Sequence, residues 1–229
     1  MSGRERREQL IGVGRQVFAE RGFEAASVED IAERAKVSKP IVYEHFGGKD
    51  GLYAVIVDRE VRALLGRIVA ALDAADHPRA AVERAADAFL SYIEEERDGF
   101  RILVRDAPVG SSSDTFVSVI GDVAANVELI LAEEFFSRGY DTALAPLYAR
   151  ALVGMVALVG EWWLEAGTPG RHDVAAHLVN LAWNGLKDLR LRPPKHAHPP
   201  VGGDDTGSLK PVTSTGTSPR GAVQEVASR

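Results

Sequence analysis

The sequence predicts an all-α protein of about nine helices, a three-helix helix-turn-helix domain at the N-terminus followed by a larger helical domain. Three observations carry that prediction. Apolar residues recur three and four apart along most of the chain, with no alternating strand pattern and no internal repeat. The periodic segments are punctuated by capping residues and by Gly or Pro. Between Ser27 and Lys49 two short capped segments meet across a tight turn. The expected organisation is a helix-turn-helix domain over residues 1–50, a second helical domain over 51–191, and a disordered tail over 192–229.

Taken in order, residues 4–21 form a first helix with Leu10, Val13, Val17 and Phe18 on one face and Gly22 as its C-cap. Gly14 inside that helix costs about 1 kcal/mol relative to Ala, so a close neighbour is expected there. Ser27 caps the next helix, with Asp30 in the reciprocal position of a capping box. Val28, Ile31, Ala32 and Ala35 give it one small apolar face. The run AKVS breaks the pattern, Val37 plugs the corner and Ser38 caps a second short helix. Pro40 fits because the first helical turn has no N–H bond to lose. Lys49 opens a long helix to about Ala75, carrying Leu52, Tyr53, Ile56, Val57, Leu64, Leu65, Ile68 and Leu72 on its stripe.

His77-Pro78 ends that helix. Residues 79–97 form another amphipathic one, with Ala85, Ala88, Phe89, Tyr92 and Ile93 inward. Phe100 to Val104 reads as a short helix and Ala107 to Asp114 as a loop. Asp114 caps a helix from Thr115 to Arg138, stopped by Gly139. Ala145 to Ala166 and His172 to Leu191 supply the last two. From Pro193 the chain is rich in Pro, Gly, Ser and Thr and cannot bury enough surface to order itself. His196 and His198, two ligands in such a tail, are read as inert.

Composition sets bounds. The chain has 229 residues, 45% of them hydrophobic, and Cys 0 removes disulfides and thiolate metal sites. The start MSGRERREQL lacks the apolar core of a signal peptide. No apolar run approaches the roughly 20 residues needed to cross a bilayer. A soluble, cytoplasmic protein without membrane partners is expected. The net charge of −6 is unevenly spread: residues 1–62 hold 11 Lys+Arg against 11 Asp+Glu, residues 63–189 hold 10 against 19, and residues 190–229 hold 6 against 3. Phosphates would be repelled by the middle of the chain, so nucleic-acid binding at the neutral N-terminus needs a few well-placed groups.

The second short helix has the form for that task. Val42 and Phe46, four apart, point inward and turn Lys39, Pro40, Tyr43 and Glu44 outward. Nine residues at about 1.5 Å rise give a rod about 13 Å long, and the DNA major groove is about 12 Å wide. Arg4, Arg6 and Arg7 are either an arm for DNA phosphates or solvated charge at a helix start. A helical hairpin without a DNA role would leave Pro40, Tyr43 and His45 on a short polar face unexplained.

The stretch VFAERGFEAASVEDIAERAKVSKPIVYEHFGGKDGLY resembles the TetR family of transcriptional regulators in order and spacing, over roughly Leu10 to Tyr53. The remaining helices agree in number and length only. The resemblance implies a helical homodimer with an N-terminal DNA-reading domain and a C-terminal domain for a small-molecule ligand. It implies that Ser27, at the start of the first short helix, touches phosphate. Lys39, Pro40 and Ile41 would enter the major groove, Ser38 would be among the DNA-binding residues, Tyr43 and His45 would meet backbone or a thymine methyl, and Lys49 would hold phosphate. Hydroxyls, amines and helix N-termini suit phosphates, while groove-facing side chains read bases. Ile41 stands where many relatives carry Thr or a smaller residue, which limits that contact to an apolar one. Glu44 either accepts from a cytosine amine or points away.

Tyr148, Leu152, Met155, Val159 and Trp162 share one helical face, and Val174, Leu178, Leu181 and Leu189 another. The resemblance implies that these two helices pair with their copies. A single short recognition helix binds weakly, and two read half-sites about one helical turn apart. Phe89, Tyr92, Phe100, Phe116, Phe135 and Trp162 are candidates to line an apolar cavity, with Arg101, Arg105 or His177 meeting a polar group. The expected function is a repressor released from a palindromic operator by a small lipophilic ligand, with no cofactor, metal or catalytic residue. An enzyme is disfavoured: no nucleophile motif, phosphate loop or metal spacing occurs, and His172 and His177 fall off one face. A protein–protein adaptor using the helix-turn-helix as scaffold is the competing reading.

Overall fold

Regular structure among the described residues is helical throughout, as the periodicity predicts. The computed structural model describes residues 2–105 and 114–187, leaving aside the side chains of residue 105, residues 114–116 and residue 187. The order is α1 (Gly3–Ala25), α2 (Val28–Ala35), α3 (Lys39–Phe46), α4 (Lys49–Asp73), α5 (Pro78–Glu95), α6 (Arg97–Arg105), α7 (Asp114–Arg138), a 3-10 turn (Thr142–Leu144), α8 (Ala145–Ala166) and α9 (Arg171–Lys187). The expected loop at 107–113 and the expected tail with His196 and His198 lie outside the described residues, as does the Asp114 side chain.

Local chemistry explains most ends. Ser2 begins α1 with a capping box closed by Glu5, which winds the first arginines into helix. Gly22 takes φ 79°, breaks the regular turn and leaves one short turn to Ala25. The Ser27–Asp30 capping box is complete: Ser27 Oγ accepts from the Asp30 N–H at 3.1 Å and Asp30 Oδ2 accepts from the Ser27 N–H at 3.1 Å. Lys36 caps α2 in the left-handed region at φ 54°. Ser38 stands at the N-cap position of α3 but its hydroxyl makes no cap bond, which corrects the expectation that it caps.

Two of the three apolar clusters among the described residues share two helices. Leu10, Val17, Phe18, Ile31, Val42, Leu52 and Ile56 build the N-terminal one. Leu64, Leu90, Ile93, Phe100, Leu103, Val123 and Trp163 belong to the larger one. α4 thus contributes its first turns to the first core and its later turns to the second. α6 does the same within nine residues, Ile102 entering the first core and Phe100 and Leu103 the second. Between them lies Glu60, the buried charged residue of the described part. Arg15 from α1 reaches it, with Nε 2.8 Å from Oε1 as an ion pair rather than an aligned hydrogen bond, and Nη2 donates to Glu96 at 2.6 Å. Tyr92 donates to Glu60 Oε2 at 2.6 Å.

One apolar stretch exceeds expectation. Thr142–Ala166 is long and apolar enough by length and composition to cross a bilayer, with a mean hydropathy of 1.7. This corrects the reading that no run approaches that size. Isolated charges such as Arg150 and Glu161 interrupt the run in sequence without lowering its average much. In the fold, α8 packs Ala145, Ala149, Ala157 and Gly160 inward and leaves Leu147, Leu158 and Trp162 exposed.

Gly14 shows why a helix interior tolerates glycine here. A Cβ at that position would lie 2.8 Å from Leu52 Cδ2 and 3.1 Å from Ile56 Cδ1. The α1–α4 approach therefore excludes a larger residue. Gly14→Val is expected to lower stability by about 1–3 kcal/mol through overpacking, read as a reduced urea midpoint at unchanged slope.

Candidate nucleic-acid interface and ligand cavity

α3 is fixed from its inner side. Val42 is fully buried, while Ile41 and Phe46 are half-buried against the same core. Lys39, Pro40, Tyr43 and Glu44 are exposed, as the four-residue spacing of Val42 and Phe46 predicts. Tyr43, at 54% exposure, is a large ring presented to solvent. Its edge rests on the α3–α4 corner, where a Cβ on Gly48 would come within 3.4 Å of Cε1. A side chain at Gly51 would collide with the Phe46 carbonyl oxygen at 1.9 Å, so that corner is closed by glycine.

The sites expected to meet DNA fall in three groups. Pro40 and Tyr43 are presented outward, and Ser38 is exposed with no cap bond to its hydroxyl. Lys39 is also exposed, but its ammonium pairs with the Glu29 carboxylate of α2. That pairing holds the Glu29 carboxyl below its ordinary value. Ser27, Ile41 and His45 are half-buried. The Ser27 hydroxyl also donates to Asp30 Oδ2 at 2.6 Å, so it is shared between capping and any outside partner. Lys49 is half-buried, its Nζ donating to the Phe23 carbonyl at 2.9 Å and lying 4.2 Å from the Phe23 ring centre. This ammonium braces α1 against α4. The first-turn N–H groups of α4, with no side-chain cap at Gly48, remain the feature there that suits a phosphate.

Two positioning residues were not found by sequence reasoning. Arg7 Nη1 donates to the His45 carbonyl at 2.8 Å and its guanidinium stands 4.4 Å from the centre of the Phe46 ring. Gln9 Nε2 donates to the Ala35 carbonyl at 3.1 Å. α1 thereby grips the C-terminal carbonyls of both short helices, where positive charge is favoured by the helix dipole. Arg6 bonds Gln9 at 2.8 Å. The arginines are part of a capped helix rather than a flexible arm.

A second feature lies in the larger core. An apolar cavity of about 130 Å³ opens between α4, α5, α7, α8 and α9. Its α7 wall runs from Val119 to Arg138, about 28 Å along the axis at 1.5 Å per residue. Phe89 and Phe135 line it as expected from the sequence, while Glu134, Arg138 and Tyr140 supply polar groups. Five expected lining residues do not. Tyr92 is fully buried with its hydroxyl turned to Glu60, and burial together with that carboxylate pushes its phenol upward. Phe100 is fully buried on α6, packed edge-on against Phe89 and Tyr92. Arg101 lies near the surface and pairs with Glu165 at 3.2 Å. Trp162 is 56% exposed, and its neighbour Trp163 is the buried one, donating from Nε1 to the Pro169 carbonyl at 2.7 Å. His177 is exposed and lines nothing there. The side chains of Arg105 and Phe116 lie outside the described residues.

Residues 10–56 match the family described as "Bacterial regulatory proteins, tetR family", and residues 67–194 match "Tetracyclin repressor-like, C-terminal domain". The HTH-type transcriptional activator FasR of Mycolicibacterium smegmatis is 33% identical over 192 residues, covering 82% of this chain and 85% of that protein. The chain belongs to the TetR family. Among solved structures, a TetR-like transcriptional regulator from Rhodococcus sp. RHA1 is 29% identical with a TM-score of 0.65, covering 80% of this chain and 97% of that one. PfmR from Thermus thermophilus, a TetR family transcriptional regulator, is 25% identical with a TM-score of 0.63, covering 77% and 94%.

As a TetR-family protein the chain is a DNA-binding transcriptional regulator and not an enzyme. The family's helix-turn-helix corresponds here to α2 and α3, and its C-terminal domain to the cavity-bearing helices.

The caps give a discriminating expectation for the DNA-binding head. Ser27→Ala should cost about 0.5–2 kcal/mol and Ser38→Ala only a few tenths, because one hydroxyl is bonded and the other is not. The Ser27 hydroxyl, with smaller help from Arg21, holds Asp30 below its ordinary value. That contribution is therefore complete above the ordinary carboxylate range and disappears as pH falls through the depressed value. Urea unfolding from neutral to acid pH should show a smaller acid-side loss in Ser27→Ala than in the parent.

Proposed function

We propose that this regulator binds a palindromic DNA operator as a homodimer and that a small lipophilic ligand in the α4–α9 cavity alters its hold. The observation that carries the DNA half is the combination of a fully buried Val42 with exposed Lys39, Pro40 and Tyr43 on one eight-residue helix. Such a helix offers base-reading groups without spending them on its own core. Ser38 and the α4 N-terminus supply phosphate contacts, and Lys39 exchanges Glu29 for DNA. Ser27 and His45 contribute where their half-buried positions allow, and Ile41 gives at most an apolar edge. Lys49 acts mainly by bracing α1.

Dimerisation is supported by α8 and α9, which expose Leu147, Leu158, Trp162 and Leu181. Ala151 and Gly154, between Leu147 and Leu158, permit close approach of a partner helix. Two recognition helices then address half-sites about one helical turn apart. The cavity supports a mostly apolar ligand, with Arg138 and Glu134 as its polar end. The site of action is the cytoplasm, where the operator lies.

Repression is the outcome expected from the sequence; activation is the second reading, favoured by the name of FasR, which matches most of the chain. A shorter match, 34% identical over 110 residues, covering 48% of this chain and 53% of that protein, is to a transcriptional repressor of Mycobacterium tuberculosis. A promoter reporter with and without the protein separates the two.

Tyr43→Ala tests the interface. Against duplexes selected from a random pool by the parent protein, affinity should fall by about 10-fold or more, equal to at least 1.4 kcal/mol, with the sedimentation coefficient of the dimer unchanged. Equal affinity would remove Tyr43 from the interface. Failure of the parent to select any sequence would favour the adaptor reading.

A further inference from the structure

One wall of the cavity is shaped by a residue that does not line it. Gly160, buried on α8, faces α5, and a Cβ there would lie 2.3 Å from Phe89 Cε1, 2.9 Å from Phe89 Cζ and 2.7 Å from Ile93 Cδ1. Those separations are far inside ordinary contact, so the Phe89 ring occupies a notch that exists because residue 160 has no side chain. The ring is enclosed on other sides as well. Phe100 packs edge-on against it, with centroids 5.5 Å apart at 84°, and is itself fully buried. Ile93 is 1% exposed and packed in the same core. The open side of the ring is the cavity, which Phe89 lines together with Val153, Val156 and Ala157 of α8.

We propose that Gly160 and Phe89 together determine the size of ligand the cavity admits, the glycine holding the ring back against α8 and keeping that end open. This rests on the reading of the cavity as a ligand site. Any side chain at 160 drives the ring toward the cavity, because core neighbours at native density yield less readily than empty space. The pair is therefore a width gauge: a smaller residue at 89 lengthens the cavity into the notch, and a larger one at 160 shortens it. A single methyl at 160 acts through the whole displaced ring, so its effect on available volume exceeds its own size.

Crystals of the full chain pressurised with xenon test this directly, because xenon reports apolar space whatever the natural ligand is. The parent should bind xenon beside Phe89. In Gly160→Ala that site should fall to background with the ring rotated into the cavity, and Phe89→Ala/Gly160→Ala should regain it. Phe89→Ala alone should show xenon extending over Gly160, which keeps the test decisive if Gly160→Ala does not fold. Xenon bound in the parent but unchanged in Gly160→Ala, or a Phe89→Ala cavity no larger than the parent's, would overturn the gauge while leaving the ligand site standing. No xenon anywhere in the parent cavity would sink the ligand site and the gauge together.

Discussion

The structure depends on keeping one eight-residue helix in place without using its outer face. A segment of that length is not stable by itself in water, because too few hydrogen bonds repay nucleation. Its position must come from packing and from grips at its ends. Val42 supplies the buried anchor, Phe46 and Ile41 widen it, and Arg7 holds the His45 carbonyl from α1. The glycine corner at Gly48 and Gly51 sets the direction in which α4 leaves. Pro40, Tyr43 and Glu44 are then open to a partner, and Lys39 once it leaves Glu29.

Attachment of the head to the body is equally specific. α4 and α6 each place residues in both cores, so neither core can shift without moving a helix that belongs to the other. The Arg15–Glu60–Glu96 cluster sits at that junction, with Tyr92 completing the buried carboxylate's partners. Burial works to lower the Arg15 pKa, but Glu60 and Glu96 outweigh it and the net shift is upward. A buried charge is tolerable when so paired, and removing one partner is costly. Under the proposed function, a ligand acts on DNA only to the extent that it prefers one arrangement of these shared helices.

The fold class and the recognition helix were legible because each helix there carries a single apolar face and a local stop. Val28, Ile31 and Val42 point inward as their spacing requires, and Gly14 marks a close approach that the structure contains. α8 was harder. It is apolar nearly all round, so spacing puts Trp162 among the cavity candidates although Trp163 is the one that turns inward. The cavity departs from expectation for a related reason: aromatic residues are the conspicuous candidates for its lining, but Tyr92 is drawn away by Glu60 and much of the wall is aliphatic, from α7 and α8. Arg7 and Gln9 were invisible as grips because they act on backbone carbonyls 38 and 26 residues away, a relation no local pattern records. Lys49, a phosphate contact by the resemblance, has an ammonium that also bonds the Phe23 carbonyl, a partner 26 residues away that no local pattern records.

The central claim is that α3, held from inside, lays its outer residues along base edges. The most direct measurement is a crystal structure of the full chain on a duplex selected from random sequence. The account predicts Lys39, Pro40 and Tyr43 within the major groove, with two copies of α3 about 34 Å apart on successive turns. A complex in which α3 faces solvent, or in which the duplex lies against another surface, would contradict it.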